Sequence, residues 1–426
     1  MGTINNLTFV ITNSSATDIL PGHVGIVYII NTLPELIVKG TAPWWWHYSG
    51  YGAKFLFAGA CFGANLVLVS AGLHLPTGWV LLGVAFADLG GGLGEASMLA
   101  LSQSYAEPQA ALSAWSSGTG AAGVLGYVLS MHVLPHLGEM GKLVFAALLL
   151  AAYWFTFFVL LPRADRPVGT ASMGGPLLSS AEGMPAGGEA AREAAEQCAV
   201  SASFDGDGAC GDEAAGNVQV AAEDSSAAPL STGEKFAMQA KLVPYVLPLM
   251  QVYWSEYAIQ AGAWTSFSFD GPLDSPAART RAYQQLNLYY QIGVLVSRSA
   301  GRLFTLSLPL LWAAAWAQVA MLVLFVADGA FQLWVGPSLV LAAIIVGLFG
   351  GTNYIQSMLA IDRQLPPRMR ELALATITIG APVGILLADA TGLLVQWCLF
   401  RYHAIHLDGG WCPVIPSHGN ASTLPS

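Results

Sequence analysis

Apolar residues in this chain gather into long blocks separated by short polar turns, and the blocks recur almost to its end. They fall at residues 22–43, 52–74, 77–102, 111–134, 141–161, 239–269, 283–301, 303–327, 332–361 and 371–400. A helix rising about 1.5 Å per residue crosses a bilayer with roughly 20 mostly apolar residues, so each block predicts a transmembrane helix. Residues 1–20 hold only a short apolar run, Leu7–Ile11, and read as the second half of a helix whose first half is absent. With that piece the chain has eleven spans, and the predicted fold class is an all-α polytopic membrane protein. Pro21, Pro76, Pro135, Pro162 and Pro337 lie near block ends, where proline costs least. Pro34, Pro244, Pro248 and Pro382 lie inside blocks and predict kinks, or backbone carbonyls opened to an interior.

The series is broken once. Residues 162–238 are rich in Ala, Gly, Ser, Pro and acidic residues with almost no aromatics, and cannot bury enough apolar surface to fold. They predict a disordered acidic cytosolic linker between an N-terminal lobe (1–161) and a C-terminal lobe (239–400), with a lumenal tail at 401–426. Six spans and five about a long linker is the layout of two transporter halves related by a parallel repeat. If the N-terminus is cytosolic, twelve Lys and Arg, Lys39 and Lys54 among them, fall on the cytosolic side against four on the other. That bias agrees with the positive-inside rule.

Composition sharpens this picture without changing it. Charged residues are 10% of the 426, against roughly 25% in a soluble domain. The net charge of −10 is concentrated in 162–238, where twelve acidic residues face four basic ones. The remaining basic residues are few and scattered, which excludes a nucleic-acid surface. Cys61, Cys198, Cys210, Cys398 and Cys412 share no metal-ligand spacing, so neither a zinc site nor a disulfide framework is favoured. No basic n-region opens a signal peptide.

Ionisable side chains within spans are costly and mark functional sites by default. Glu256 stands mid-block in YWSEYAIQAG, with Tyr253, Tyr257 and Gln260 at helical spacing, a stripe that suits a wet cavity or an aromatic packing ridge. Glu35 lies mid-block beside Pro34; Asp88 and Glu95, seven apart in ADLGGGLGEASML, share one helix face. These carboxylates are candidates for proton coupling or cation binding, or for polar networks between helices. Arg298 in SRSAGR offers planar, bidentate hydrogen bonds to a phosphate, or snorkels to the interface. Asn353 in GLFGGTNY is a candidate polar wall residue. Gly118, Gly120 and Gly123 spell G-x-G-x-x-G, but between membrane helices the pattern reads as close packing.

His74, His132 and His136 are pH-sensing candidates on the non-cytosolic side, because free histidine titrates near pH 6.5. Asn13 and Asn420 begin sequons on that same side and are glycosylation candidates, while the sequon at Asn6 is expected to be buried. No metal cluster or activated nucleophile accompanies the carboxylates, so neither an enzyme nor a cofactor is predicted.

Several blocks carry a resemblance in order along the chain: NTLPELIVKGTAP (31–43), GLGEASMLALS (92–102), WSSGTGAAGVLGY (115–127), YWSEYAIQAG (253–262), YYQIGVLVSRS (289–299) and GGTNYIQSMLAI (350–361). They resemble the battenin family, whose loss in humans causes juvenile neuronal ceroid lipofuscinosis, over residues 1–161 and 239–400. The resemblance implies a major facilitator superfamily-like fold, residence in the lysosomal or vacuolar membrane, and a role in lumenal pH and storage-lipid homeostasis. It also implies candidate cargoes, glycerophosphodiesters or basic amino acids. By residue-wise match, Glu256 falls on the Glu of the family's E-Y-x-I-x-x-G block and Arg298 on the Arg of its S-R-S block; Glu35 and Glu95 lie in matching blocks. The chain departs from the family at Gln260–Ala261, where Asn-Gln is usual, in its alanine-rich linker, and in its Pro425–Ser426 end, which has no prenylation box.

The expectation is a secondary transporter that rocks its two lobes about a central site for a small polar or anionic solute, with protons and membrane lipids as further partners. The rival is a membrane organiser that recruits trafficking proteins through 162–238.

Overall fold

A computed structural model of the protein describes residues 1–20, 22–70, 75–161, 231–334, 338–405 and 412–413. Among these residues there are helices and turns but no strand. The N-terminal half comprises α1 (Gly2–Ser14), the single turn α2 (Ala16–Ile19), α3 (Val24–Trp45), α4 (Tyr51–Ser70), α5 (Thr77–Leu101), α6 (Pro108–His132) and α7 (Glu139–Phe155), which runs on into one π-helical turn over Thr156–Leu160. The C-terminal half comprises α8 (Thr232–Ala261), α9 (Pro276–Ser299), α10 (Leu308–Phe331), α11 (Leu339–Gln364), α12 (Pro367–Ile377) and α13 (Gly380–Tyr402). Both halves belong to one compact unit, and their buried apolar side chains form a continuous cluster.

Seven of the described stretches are long and apolar enough to cross a membrane: α3, α4, α5, α7, α10, α11 and the α12–α13 run. At 25, 30 and 24 residues, α6, α8 and α9 are long enough as well, but less apolar. Those three carry glycine, serine and polar residues because their inner faces meet other helices rather than lipid. By contrast α7 and α10 turn most of their surface outward.

Four differences from the sequence expectation have physical causes. The block expected at 371–400 is two helices: α12 stops at Ile377 and α13 restarts at Gly380. Pro382 therefore falls in a first turn, where its missing N–H removes no helical hydrogen bond. Helix α9 begins at Pro276 rather than 283, since Ser275 caps it by accepting a hydrogen bond from the Ala278 N–H at 3.4 Å. Its first two turns are polar and escape a search for apolar blocks. Helix α8 begins at Thr232, inside the stretch expected to be linker, while 162–230 lies outside the described residues. Finally, Cys398 and Cys412 form a disulfide, with Cα atoms 5.0 Å apart. No motif joins two cysteines 14 residues apart, and only the return of the chain after α13 brings them together.

The halves meet along α6–α9 and α3–α13. A Cβ at Gly120 would stand 2.8 Å from the Leu295 Cα, so α6 and α9 pack backbone to backbone there. The G-x-G-x-x-G run is thus a packing surface. The seam is tied at both ends. At one end the Tyr28 and Tyr283 hydroxyls are hydrogen-bonded, Gln284 donates to the Ser14 carbonyl at 3.3 Å, and the Trp397 indole donates to Gly22 at 3.3 Å. At the other end the Tyr51 hydroxyl donates to Glu371 at 2.6 Å, and Lys235 donates to the Pro43 carbonyl at 2.9 Å.

Candidate functional site

Between these two ties lies a chamber of about 80 Å³, room for a few waters. Glu35 of α3, Asp88 and Glu95 of α5, and Thr119 of α6 line its N-terminal wall. Tyr253 and Tyr257 of α8, Tyr290 and Arg298 of α9, and Tyr354 of α11 line the opposite one.

The N-terminal wall is built around Lys39. Counted on sequence among the cytosolic cations, it is instead fully buried and ion-paired with Glu35, one turn away on α3, and with Glu95 of α5. Two carboxylates within reach draw the ammonium inward, because an ion buried in an apolar medium needs a partner. Glu95 also accepts a hydrogen bond from the Tyr354 hydroxyl, which links this wall to the C-terminal half. Asp88 lines the same wall, and its buried Oδ2 has no hydrogen-bond partner. The glycine run 90–92 makes the room: a Cβ at Gly92 would stand 2.6 Å from Glu35 Cγ.

The C-terminal wall holds a cation in different company. From the last turn of α9, Arg298 donates through Nη1 to the Thr119 hydroxyl and through Nη2 to the Tyr253 hydroxyl at 3.2 Å. Its guanidinium carbon sits 4.0 Å from the centre of the Tyr354 ring. Its Nε is buried without a partner. Among the described residues no carboxylate lies within ion-pair distance of Arg298, and the ion pairs that do form belong to Lys39.

Three residues expected in the cavity stand behind its walls. Glu256 is buried and turned toward α11, where its Oε2, without a hydrogen-bond partner, packs on Gly350. Gln260 lies one turn beyond Tyr257, and Asn353 adjoins Tyr354, which lines the chamber; both are buried outside the lining. Helical spacing groups residues on a face, but it does not say which neighbouring helix that face meets.

The remaining candidates lie elsewhere. His132 and His136 are exposed at the far end of α6, remote from the chamber, while His74 and Asn420 lie outside the described residues. Asn13 is buried in α1 and accepts a hydrogen bond from Asn31 at 3.0 Å, so its amide is not accessible for glycosylation. Asn6, expected to be buried, lines the chamber. Among the described residues no cluster of His, Cys, Asp and Glu could hold a metal ion.

Sequence reasoning passed over Lys39, Thr119, Tyr290 and Tyr354. The Glu35–Lys39 spacing of four residues was the signal for the first. Nothing in the sequence singled out the other three, whose importance depends on helices that meet across the seam.

The family model described as CLN3 protein matches residues 1–402. The chain belongs to the CLN3, or battenin, family. The match covers the whole chamber. The CLN3-family relatives include Protein BTN1 of Chaetomium globosum, 31% identical over 94% of this chain and 87% of that protein. Battenin of Canis lupus familiaris is 30% identical over 89% of this chain and 78% of its own length. Protein BTN1 of Saccharomyces cerevisiae is 28% identical over 96% of each.

Solved structures place the fold. The POT family transporter PepTSo matches with a TM-score of 0.58 at 12% identity, covering 95% of this chain and 93% of its own. A D-xylose-proton symporter matches with a TM-score of 0.53 at 11% identity and the same coverage. The human organic anion transporter MFSD10 matches at 0.52 and 13%, covering 95% and 92%. Such identities speak to the fold alone, which is that of the major-facilitator transporters. This CLN3-family chain is thus a multi-pass membrane protein with a transporter fold.

Proposed function

We propose that the protein is a secondary transporter of the lysosomal or vacuolar membrane that exports a small anionic solute, of which glycerophosphodiesters are the leading candidates, and so supports lumenal pH homeostasis. One observation carries this reading. Arg298 lines a chamber on the seam between the two halves, is held by neutral hydroxyls and an aromatic ring, and has no carboxylate within ion-pair distance among the described residues. A half-buried guanidinium without an ion-pair partner favours an anion beside it, so an incoming phosphodiester would supply that charge and accept hydrogen bonds in a planar fork. Thr119 and Tyr253, on opposite halves, hold the fork in place. Reversible opening of the ties at either end would expose the chamber alternately to the two sides. At about 80 Å³ the closed chamber is small, so loading must move the walls apart.

The test is efflux of glycerophosphoinositol or glycerophosphocholine from proteoliposomes. Efflux above empty-vesicle controls, lost in R298Q, is the expected result; efflux equal to the controls rejects this cargo. The carboxyl-rich N-terminal wall favours a second reading, transport of a basic amino acid, and competition by lysine or arginine in the same assay separates the two.

A further inference from the structure

The halves close on a second, smaller cavity, of about 50 Å³, at the end of the seam that carries the Cys398–Cys412 bond. Both halves build it. Thr17 of α2 and Gly22 come from the N-terminal half. Arg279 and Thr280 of the first turns of α9, with Gln396 and Phe400 on either side of Cys398 in α13, come from the C-terminal half. The halves touch beside it, where the Thr17 and Thr280 hydroxyls lie 3.5 Å apart and the Trp397 indole donates to the Gly22 carbonyl at 3.3 Å.

Arg279 is the only charged residue lining this cavity. Its Nη1 donates to the Leu273 carbonyl at 2.6 Å, and its guanidinium carbon stands 4.9 Å from the centre of the Phe400 ring. Carbonyl and ring hold the guanidinium in place without neutralising it. Among the described residues no carboxylate lies within ion-pair distance of Arg279, and Asp274, which acts on it electrostatically, lies outside the lining. Gln396 is an independent sign of a ligand. It is 1% exposed and lines the cavity, yet its buried Oε1 has no hydrogen-bond partner. A buried amide left unpaired is costly.

We propose that this cavity binds a small monovalent inorganic anion, of which chloride is the type, and that the bound anion holds the two halves together at this end. Size sets the class: the cavity admits a small ion with roughly one or two waters, but not a phosphodiester. Arg279 supplies the charge, and the threonine hydroxyls supply donors from both halves. The amide of Gln396 both donates and accepts, so it can meet the ion through Nε2 and a water of that ion through Oε1. These contacts coexist only while the seam is closed here, so the anion favours the closed form and opening releases it. The site serves the gate rather than the cargo, and its occupancy does not depend on the transport reading above.

The test is thermal melting of the purified full-length protein in chloride against gluconate, an anion too large for the cavity, at constant ionic strength. Chloride should raise the wild-type melting temperature along a saturating curve. R279Q should abolish that response, while R281Q, which removes the same charge from an exposed position outside the lining, should keep it. Q396L leaves Arg279 in place and should raise the half-saturating chloride concentration several-fold, which decides the matter if R279Q does not fold. A wild type indifferent to chloride, its cavity holding water only, overturns the site. A response that persists in R279Q, or is unchanged in Q396L, does the same. For the gate, labelling of N6C in the chamber wall from this end should be several-fold slower in chloride than in gluconate. Equal rates overturn the holding role.

Discussion

The two walls of the chamber each hold a cation, and the two cations are treated in opposite ways. On the N-terminal wall Lys39 has two carboxylates. On the C-terminal wall Arg298 has hydroxyls and a ring. Within a membrane the first arrangement is complete in itself and reads as structure, because neutralised charges tie α3 to α5 whether or not a solute is present. The second arrangement is incomplete and reads as a binding site. Lys39 is fully buried and Arg298 half-buried, but the sharper difference lies in their partners.

The comparison breaks most severely if Lys39 is removed. K39M leaves Glu35 and Glu95 buried without a cation and should cost about 3–5 kcal/mol of stability, read as a collapse in monodisperse yield or melting temperature. If Lys39 is structural, K39M/E95Q recovers part of that loss. Recovery of transport without recovery of stability would move Lys39 to the binding side.

R298Q should do the reverse. It removes the charge that a cargo anion would meet and should weaken cargo binding by roughly 2 kcal/mol or more, at least about thirtyfold. Its stability should stay close to wild type, because no carboxylate loses a partner. Scintillation proximity binding alongside a thermal melt separates the two effects, and a large fall in melting temperature would contradict the contrast.

Y28F is the next smaller change. It removes one hydroxyl from the Tyr28–Tyr283 tie and should cost about 1 kcal/mol, seen as easier labelling, from that end, of a cysteine introduced into the chamber wall. Smallest is E256Q. Because Glu256 stands behind the wall, cargo affinity should change by less than about 1 kcal/mol; a loss as large as that of R298Q would place its carboxylate in contact with the solute.

Much of this architecture was legible in the chain. Blocks at 77–102 and 303–327 anticipate α5 and α10 to within a few residues, because apolar length is a local property. The glycine packing runs were also visible, and Arg298 stood out as a candidate with snorkelling to the interface as its alternative. What stayed hidden depends on pairs of helices. Lys39 looked like one more cytosolic cation until α5 brought Glu95 to it, and without Lys39 the basic bias still points the same way. Glu256 drew attention by sitting mid-span, yet the tyrosines beside it face the chamber while Glu256 faces Gly350. The Thr119 hydroxyl matters only because the backbone contact between α6 and α9 brings it under a guanidinium from the other half.

The Cys398–Cys412 bond bears on how the molecule is inserted. Thiols join in the endoplasmic reticulum lumen and are kept reduced in the cytosol. Formation of this bond would require the far tip of α13 to face the secretory compartment, a criterion for topology that owes nothing to counting lysines and arginines. The lumenal tail expected from that count would meet it.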